Sequence, residues 1–416
     1  MQRVQSLNKP ADLKRVVYVV SLFPSISETF IVREIAALVE RGVDVRIISL
    51  KKPSDGLLQT DSAALLERAV HPRPLMSAVS NTLGALFANP RAVLRAFGLV
   101  LADSWKQPVV ALKSVASLFR ALQHVPWLRE FNPQLIHAHW ATYPSTAAWA
   151  LGCVLDRPFS FTSHAHDIFI ENQLLGHKIR ESALAVTISQ HNVEWLTARA
   201  TPVAAQKLKV IHCGVDMERS PWHAEPRQPL MMLAVGRLDP VKGFGTLVDA
   251  LALLKARGVE VQCKLVGSGP LEQELKQRAR DRGVAGMLDF VGAQPQEQIR
   301  AWMSEAAVFV LPSQVADDGN RDGIPVALME AMASGCPVIS TRVSGIPELI
   351  EDEQDGLLVE QRNPAALADA VQRLLEDEPL RQRLAVRARR RIENEFDSRK
   401  EASRLHDLMA GVTDVA

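Results

Sequence analysis

A stretch of twenty residues in the second half of the chain combines two acids with the start of a helix. The stretch DGIPVALMEAMASGCPVIST covers residues 322–341 and carries Asp322 and Glu330 with seven residues between them. Its first proline favours the first turn of a helix, where the missing amide hydrogen costs no hydrogen bond. The amides of Val326 and Ala327 would then lie unpaired at a helix N-terminus, which forms an anion site suited to a diphosphate.

The two acids have different predicted partners. Glu330 falls about one turn into the helix, where its carboxylate could accept hydrogen bonds from ribose hydroxyls. Asp322 precedes the helix on a loop and could accept hydrogen bonds from hydroxyls of a transferred sugar. The alternative is a capped amphipathic helix whose carboxylates are solvated.

A second stretch places two cations directly after a predicted strand. AVGRLDPVKGF covers residues 234–244; the strand ends at Gly236, and Arg237 and Lys242 follow on the loop. Two fixed cations could hold an anionic group such as a diphosphate without a metal. The alternative is two surface cations on a strand-to-helix loop. No Asp-x-Asp pair, with which metal-dependent transferases commonly hold Mg²⁺ or Mn²⁺, lies in a plausible loop, so no metal is expected.

Two further loops of this half carry glycines after predicted strands. LVGSGPL, at residues 265–271, contains Gly267 and Gly269, which permit a backbone to approach a ligand closely. G-x-G alone is a weak signal. VSGIPE, at residues 343–348, carries Gly345.

Histidines mark the ends of two predicted strands in the first half. FTSHAHDIF, at residues 161–169, ends a strand with His164 and His166, and a structural histidine is the alternative interpretation for both. His137 and His139 end another strand, so a zinc site is a rival interpretation of the group. Thiolate partners and helical histidine spacing, however, are missing.

A hydroxyl-rich turn follows the first predicted strand. Its string PSISETF leads into a helix predicted over residues 25–42. Ser25 and Glu28 have the spacing of a capping box, which is the expected structural role of these two side chains.

Together, the stretches between residues 234 and 348 resemble retaining glycosyltransferases of family 4, whose usual signature is E-G-F-G-x-x-x-x-E-A-M-A-x-G-x-P-V. These enzymes have the two-domain GT-B architecture. Gly323 and Ile324 stand at the second and third positions of the signature, and Glu330 matches its second glutamate. Asp322 replaces the first glutamate and is shorter by one methylene, so its reach to the sugar changes or the loop moves in.

The resemblance assigns roles to residues outside the signature. It implies that Arg237 and Lys242 neutralise the donor diphosphate as the nucleoside diphosphate leaves. It implies that the loop of Gly267 and Gly269 lies beside the nucleotide base, and that the loop of Gly345 lies near the donor.

His164 matches a histidine that the family often places at this strand end, near the anomeric carbon. The hydroxyl-rich turn looks like that of the subgroup making colanic-acid-type and other exopolysaccharides. Retention is implied by the family, and no residue is an obvious covalent nucleophile. The expected partners are a UDP- or GDP-linked sugar as co-substrate, with no cofactor, and a polysaccharide or lipid-linked oligosaccharide acceptor.

The elements that must position these residues alternate between strand and helix, which predicts an α/β fold of two Rossmann-like domains facing across a cleft. Ligands bind there, at the carboxyl ends of the strands. We predict an N-terminal domain over 1–218, with a helical insertion at about 72–131 and completed by a helix at about 397–416, and a nucleotide-sugar-binding domain over 219–396. The predicted strands cover residues 15–23, 43–50, 134–139, 159–164, 184–189, 207–212, 229–236, 259–267, 287–292, 307–312, 336–341 and 356–360.

The bulk composition excludes several classes of protein. With 47% hydrophobic and 23% charged residues among 416, the chain is neither disordered nor fibrous. Its four cysteines form no C-x-x-C pair, which argues against zinc ribbons and disulfide frameworks and fits a reducing cytosol. We find no secretory signal and no uninterrupted apolar run of about 20 residues. The expected location is the cytoplasm, with peripheral attachment to the inner face of the cell membrane as an option.

Residues 72–131 interrupt the strand alternation with a helical pattern rich in Ala, Leu and Val. Residues 72–129 hold seven basic residues against one acid, Asp103. One hypothesis is that this insertion docks on an anionic membrane and presents a lipid-linked acceptor. The alternative is extra helices packed against the N-terminal domain. No nucleic acid partner is expected, because the positive charge is local and lacks interleaved stacking aromatics.

Two other classes of function compete with a transferase. A nucleotide-sugar epimerase or a glycan phosphorylase would share the architecture, although no lysine has the context of a pyridoxal phosphate site. A non-catalytic partner subunit of a glycosyltransferase complex is the second rival. The intact Arg237, Lys242 and Glu330 argue against it.

Overall fold

The computed structural model describes residues 12–25, 28–52, 64–199, 206–222 and 227–413. The chain divides into two compact units. The first comprises Met1–Ile188, Val193–Ile211 and Glu401–Ala416, and the second comprises Ser189–Asn192 and His212–Lys400.

Parallel strands form the sheet of the first unit: β1 (Arg15–Val20), β2 (Asp44–Ser49), β3 (Ala69–Val70), β4 (Leu135–His139), β5 (Phe159–Ser163), β6 (Leu184–Thr187) and β7 (Leu208–Val210). They lie in the order β3-β2-β1-β4-β5-β6-β7. The sequence of β1, RVVYVV, is buried at every position but its first. Strands covered on both faces read as continuous apolar runs, which is why this strand was predictable.

The helices that accompany this sheet are α1 (Thr29–Glu40), α2 (Leu75–Ala88), α3 (Pro90–Ser104), α4 (Pro108–Leu122), α5 (Val125–Phe131), α6 (Tyr143–Leu155), α7 (His166–Phe169), α8 (Leu175–Glu181) and α9 (Gln190–Arg199). Helices α2 to α5 form the insertion. Its inner residues Val93, Ala96 and Val100 belong to the same hydrophobic core as α6 and β4. The inner face of the insertion is therefore packed on the sheet of the first unit.

The second unit has its own parallel sheet of β8 (Gln228–Val235), β9 (Gln262–Val266), β10 (Leu288–Gly292), β11 (Ala306–Val310), β12 (Val338–Thr341) and β13 (Leu357–Val359). The order β10-β9-β8-β11-β12-β13 is that of a Rossmann fold. Its helices are α10 (Phe244–Ala256), α11 (Glu272–Asp281), α12 (Gln296–Glu305), α13 (Val326–Ala333), α14 (Ile346–Leu349), α15 (Pro364–Glu376) and α16 (Glu378–Glu395). The predicted α/β class with two Rossmann-like parallel sheets is confirmed.

The helix α17 (Ser398–Thr413) begins in the second unit and continues in the first. Its residues Leu405, Met409 and Ala410 lie in the hydrophobic core on one face of the first sheet. The covalent chain therefore returns to the first unit to complete that core.

The structure differs from the predictions at several element ends. The short strand β3 is not predicted, and the first strand ends at Val20 rather than at residue 23. Helix α1 begins at Thr29, and no side chain caps it, so the predicted capping box is wrong. The Glu28 carboxylate instead accepts a hydrogen bond from Trp140 Nε1, at 2.8 Å.

Among the residues that the structure describes, no single helix is long and apolar enough to cross a membrane. The bent pair formed by α2 and α3 passes that test by length and composition alone.

Candidate active site

An ion pair joins the ends of two neighbouring strands in the second unit. Lys242 follows β8 and Asp322 follows β11, its neighbour in the sheet. The Lys242 Nζ lies 2.8 Å from Asp322 Oδ1, and Ser313 Oγ donates to Asp322 Oδ2 at 2.9 Å. Both charged side chains are less than one-fifth exposed. The ammonium group of Lys242 is therefore held in one place at the carboxyl edge of the sheet, where it can face an anionic ligand.

Arg237 has a different environment from Lys242. Its side chain is 73% exposed, and its Nε lies 3.7 Å from Asp239 Oδ2. A guanidinium group with so loose a partner is free to turn towards a phosphate, but it is also what a surface cation looks like.

The glycine loops of this unit pack against one another. A methyl group on Gly267 would lie 2.9 Å from the carbonyl carbon of Gly236, and a methyl group on Gly269 would lie 2.7 Å from that of Leu238. Gly267 also has a φ of +134°. The close backbone approach that the glycines allow is thus, in this structure, an approach of one loop to another. It holds the loop after β8 in position.

Helix α13 begins where the sequence predicts. Pro325 directly precedes the helix, and its carbonyl accepts hydrogen bonds from the amides of Leu328 and Met329, at 3.1 and 3.4 Å. The amides of Val326 and Ala327 therefore precede the first turn of intrahelical bonds, as an anion site requires.

The residues that flank this helix start are packed. Gly323 and Ile324 are buried. A methyl group on Gly345, at the start of α14, would lie 2.8 Å from Ile324 Cγ1. The predicted donor loops around residues 323–324 and 345 are therefore in direct contact.

Glu330 is 7% exposed, and its Oε2 accepts a hydrogen bond from Gln296 Nε2 at 2.8 Å. The alternative interpretation, in which the carboxylates of this helix are solvated, is therefore wrong for Glu330. It is also wrong for Asp322, which is paired with Lys242. Gln296, which starts the neighbouring helix α12 and orients the Glu330 carboxylate, was not predicted from the sequence.

In the first unit, His164 belongs to a buried hydrogen-bonded cluster. Tyr18 Oη donates to Glu34 Oε1 at 2.7 Å, and His139 Nε2 lies 3.0 Å from the same oxygen. His139 Nδ1 lies 3.2 Å from His164 Nε2. The side chains come from β1, α1, β4 and the end of β5, three strands that neighbour one another in the sheet and the helix that covers them.

His137 adjoins this cluster, and it lies two residues from His139 on the same face of β4. Its Nδ1 lies 2.8 Å from Ser160 Oγ, and its Nε2 lies 3.2 Å from Thr162 Oγ1. The carboxylate of Glu34 and ring nitrogens of His137 and His139 lie within 4.8 Å of one another. A zinc site at this place would need these three side chains. Each ring nitrogen of His137 and His139 already has a hydrogen-bond partner in the protein, so these contacts explain the grouping without a metal.

Burial and neighbouring charges set the protonation of this cluster. Burial lowers the pKa of His137 to about 3, and burial followed by the charges of His139 and His137 holds the pKa of His164 well below 6.5. Burial alone would raise the pKa of Glu34, but the charge and hydrogen bond of His139 outweigh it and lower that pKa. Burial, reinforced by Glu34, raises the pKa of Tyr18. At neutral pH His164 is therefore a neutral imidazole and Glu34 is a carboxylate.

The main chain and ring of His164 are held from other sides. Its amide donates to Asp167 Oδ1 at 3.0 Å, and its ring centroid lies 4.8 Å from that of Phe30 and 4.5 Å from that of Trp140. His166, which the sequence also singled out, is half exposed and outside the cluster.

Tyr18 and Glu34 were not predicted from the sequence. A signal for Glu34 was present, because it lies three residues after Ile31 and four before Leu38, on the apolar stripe of α1. A carboxylate on a buried stripe needs a partner. For Tyr18, inside an apolar strand, no comparable signal exists.

Comparison with known proteins places this geometry in a family. Residues 218–391 match the family model described as Glycosyl transferases group 1, and residues 107–219 match Glycosyltransferase Family 4. The structure of Anabaena Alr3699/HepE in complex with UDP-glucose has a similar fold, with a TM-score of 0.67 at 18% identity, and covers 94% of this chain and 98% of that one.

Two curated relatives extend the match. The chain is 37% identical over 242 residues to the amylovoran biosynthesis glycosyltransferase AmsK of Erwinia amylovora, which covers 56% of this chain and 59% of that one. It is 31% identical over 393 residues to the putative colanic acid biosynthesis glycosyltransferase WcaL of Escherichia coli, which covers 90% of this chain and 94% of that one. With both halves matched and this identity along nearly the full length, the chain belongs to glycosyltransferase family 4.

Proposed function

We propose that this chain transfers a sugar, with retention and without a metal, from a UDP- or GDP-linked donor to a polysaccharide or lipid-linked oligosaccharide in exopolysaccharide synthesis. The observation that carries the proposal is the ion pair of Lys242 and Asp322 beside the N-terminus of α13. Two relatives named for amylovoran and colanic acid biosynthesis support the exopolysaccharide context.

In this proposal the donor diphosphate lies between two sources of positive potential. The amides of Val326 and Ala327 point at it from the helix start, and Lys242 and Arg237 approach it from the loop after β8. Lys242 can donate to a phosphate oxygen while it keeps its bond to Asp322, because an ammonium group has three hydrogens.

The rest of the donor follows from this placement. Glu330 accepts from the ribose hydroxyls, and Gln296 holds its carboxylate for that purpose. The loop of Gly267 and Gly269 supports the base. Asp322, whose two oxygens are already oriented by Lys242 and Ser313, accepts from hydroxyls of the sugar.

The transfer step is proposed to depend on the leaving group. Negative charge on the diphosphate grows as its bond to the anomeric carbon breaks, and cations fixed in advance stabilise that charge without reorganisation. His164 contacts the sugar near the reacting carbon, as the family resemblance implies. Retention is proposed by a front-face route, which needs no covalent nucleophile.

The insertion is proposed as the part that docks on an anionic membrane. Large apolar side chains on its outer surface are more than one-third exposed: Met76, Val79, Leu83, Phe87, Leu94, Leu101, Trp105, Val109 and Leu112. Among the described residues, Trp222 and Leu230 are the other large hydrophobics as exposed as these. Arginine and lysine residues interleave with the apolar ones, and only Asp103 opposes them in residues 72–129. Apolar burial and attraction to anionic lipids would act together on this surface.

Donor binding in the presence of EDTA tests the proposal. Isothermal titration with UDP and GDP, for the wild type and for Arg237→Ala/Lys242→Ala, should show binding of one nucleotide that the double variant loses. Arg257→Ala/Lys255→Ala, cations at the far end of α10, is the control and should bind as the wild type does.

Three results would contradict this function. Binding that requires Mg²⁺ would remove the metal-independent mechanism. No binding of either nucleotide would favour a non-catalytic partner subunit, whereas binding with release of an epimerised sugar nucleotide, and no acceptor needed, would favour an epimerase.

A further inference from the structure

The hydrogen bonds of the His164 cluster require one proton between His139 and His164. Glu34 is ionised and can only accept, and the Tyr18 hydroxyl already donates to it. His139 Nε2, at 3.0 Å from the same Glu34 oxygen, must therefore carry a hydrogen whether His139 is neutral or charged. Only the Nδ1 of His139 can change, and it faces His164 Nε2 at 3.2 Å.

Each charge state of His139 allows a single tautomer of His164. When His139 is neutral, its Nδ1 has a lone pair and accepts from His164 Nε2–H, which leaves the lone pair of His164 on Nδ1. When His139 is an imidazolium, it donates from Nδ1 to His164 Nε2. The proton of the neutral His164 ring then sits on Nδ1.

We propose that Glu34 and His139 are positioning residues that set the tautomer of His164, so that uptake of one proton by His139 converts His164 Nδ1 from a hydrogen-bond acceptor to a donor. The consequence for sugar transfer rests on the proposed function, in which His164 contacts the sugar. The tautomer itself does not.

Ring contacts and a main-chain hydrogen bond hold His139 and His164 in place. Tyr18 stacks on His139, with centroids 5.8 Å apart, and Phe30 packs against both His139 and His164. Asp167 holds the main chain of His164 through its amide. The position of His164 Nδ1 is therefore constant, and only its chemical character changes.

The titratable groups around His139 come from every element packed on it. Glu34 approaches from α1 and Glu28 from the residue before that helix, Tyr18 lies on β1, and His137 lies on the same strand. The charge of Lys51, which follows β2, lowers the pKa of Glu28, and Lys51 is therefore a neighbour of Glu28 rather than of His139. Of these groups Glu34 alone touches a ring nitrogen of His139, at 3.0 Å.

Histidine tautomers can be read by NMR without any donor. The full chain, labelled with ¹⁵N-histidine, gives long-range ¹H–¹⁵N correlations that distinguish Nδ1–H, Nε2–H and the imidazolium. His164→Gln and His139→Gln assign the two rings among eleven histidines. At every pH we expect complementary protons: Nε2–H on His164 when His139 is neutral, and Nδ1–H on His164 when His139 is charged.

Two results would overturn the inference. One is any pH at which His139 is charged while His164 keeps Nε2–H, or at which His139 is neutral while His164 carries Nδ1–H. The other is a stoichiometric zinc ion held through His139, because a nitrogen that ligates a metal cannot take part in this exchange. If His139 keeps one charge state at every pH at which the protein is folded, the tautomer of His164 in that state tests the inference: it must be the one expected for that charge.

Glu34→Gln adds a second test. It removes the carboxylate that accepts from His139 Nε2, so any change in the protonation of His139 should still be matched, at the same pH, by the tautomer change of His164. A change at His139 that His164 does not follow would refute the coupling.

Nucleotide titration on the same samples separates the two proposals. Complementary protons without UDP or GDP binding would refute the proposed function and support the inference. Nucleotide binding without complementary protons on His139 and His164 would support the proposed function and refute the inference.

Discussion

Replacing Gly243 by alanine tests whether the close contact between the loops that follow β8 and β11 is needed for the ion pair of Lys242 and Asp322. Gly243 has a φ of +66°, and a methyl group there would lie 3.0 Å from the carbonyl carbon of Pro312 and closer still to its oxygen. Pro312 directly precedes Ser313, whose hydroxyl holds Asp322. The methyl group must therefore push the loop of Lys242 away from the loop of Ser313.

The cost has two parts. A left-handed conformation costs an alanine about 1 kcal/mol relative to glycine. Separating the loops also weakens the ion pair and the hydrogen bond from the Gln314 amide to the Val241 carbonyl, now 2.8 Å, which contributes about 1 kcal/mol. We expect Gly243→Ala to lower the free energy of unfolding by about 2–4 kcal/mol. A displacement of about 1 Å at Lys242 should also lower kcat/KM about a hundredfold.

Gly258→Ala is the matched control. Gly258 has a φ of +76°, and a methyl group there would meet nothing within 4 Å. It should lose only the conformational part, about 1 kcal/mol, and keep full activity. Urea unfolding and a sugar-transfer assay measure both variants. Equal losses of stability and activity in the two variants would refute the argument that loop contact positions Lys242.

Three further outcomes follow from other parts of the structure. Glu330→Gln should weaken binding of UDP or GDP about tenfold but affect the deoxyribose analogue less, by titration calorimetry; an equal loss would place Glu330 away from the ribose. Phe87→Ser/Trp105→Ser should abolish flotation with anionic vesicles, whereas Trp222→Ser/Leu230→Ser, which removes two exposed apolar side chains elsewhere, should not; unchanged flotation of the first variant would contradict membrane docking by the insertion. Burial lowers the pKa of Lys178 to about 7 from 10.5, against the charges of Asp167 and Asp103. The folded state then binds fewer protons than the unfolded state between these values, so the free energy of unfolding should rise with pH there. Lys178→Met should flatten the rise in urea unfolding, and an unchanged slope would exclude this origin.

The site of the second unit was largely predictable, because its residues lie in short stretches with fixed consequences. A proline before an apolar run predicts the start of α13, and with it the positions of Val326 and Ala327. The reason for Gly267 and Gly269 was not predictable. Their pattern indicates a close backbone approach, but the approaching group is a neighbouring loop, and sequence spacing does not show which loops adjoin.

The cluster of the first unit shows the opposite limit. Glu34 and His139 are 105 residues apart in sequence, and their meeting depends on the order of β1 and β4 in the sheet. Strand identity was predictable from apolar runs, whereas strand order was not. The predicted capping box failed because the helix starts later than predicted: its N-cap residue is Glu28, whose carboxylate is hydrogen-bonded by Trp140 as well as by the Ser25 side chain.

The division of α17 between the two units has a consequence for synthesis on the ribosome. The part of α17 that belongs to the first unit begins at Glu401, 191 residues after Val210, the end of β7. This part of the helix supplies Leu405 and Met409 to the core of the first unit. A nascent chain that has emerged only as far as β7 therefore lacks some of the apolar side chains that cover one face of its sheet. The second unit can close its own sheet before this helix emerges. The core of the first unit is therefore incomplete until residues 401–413 have been translated.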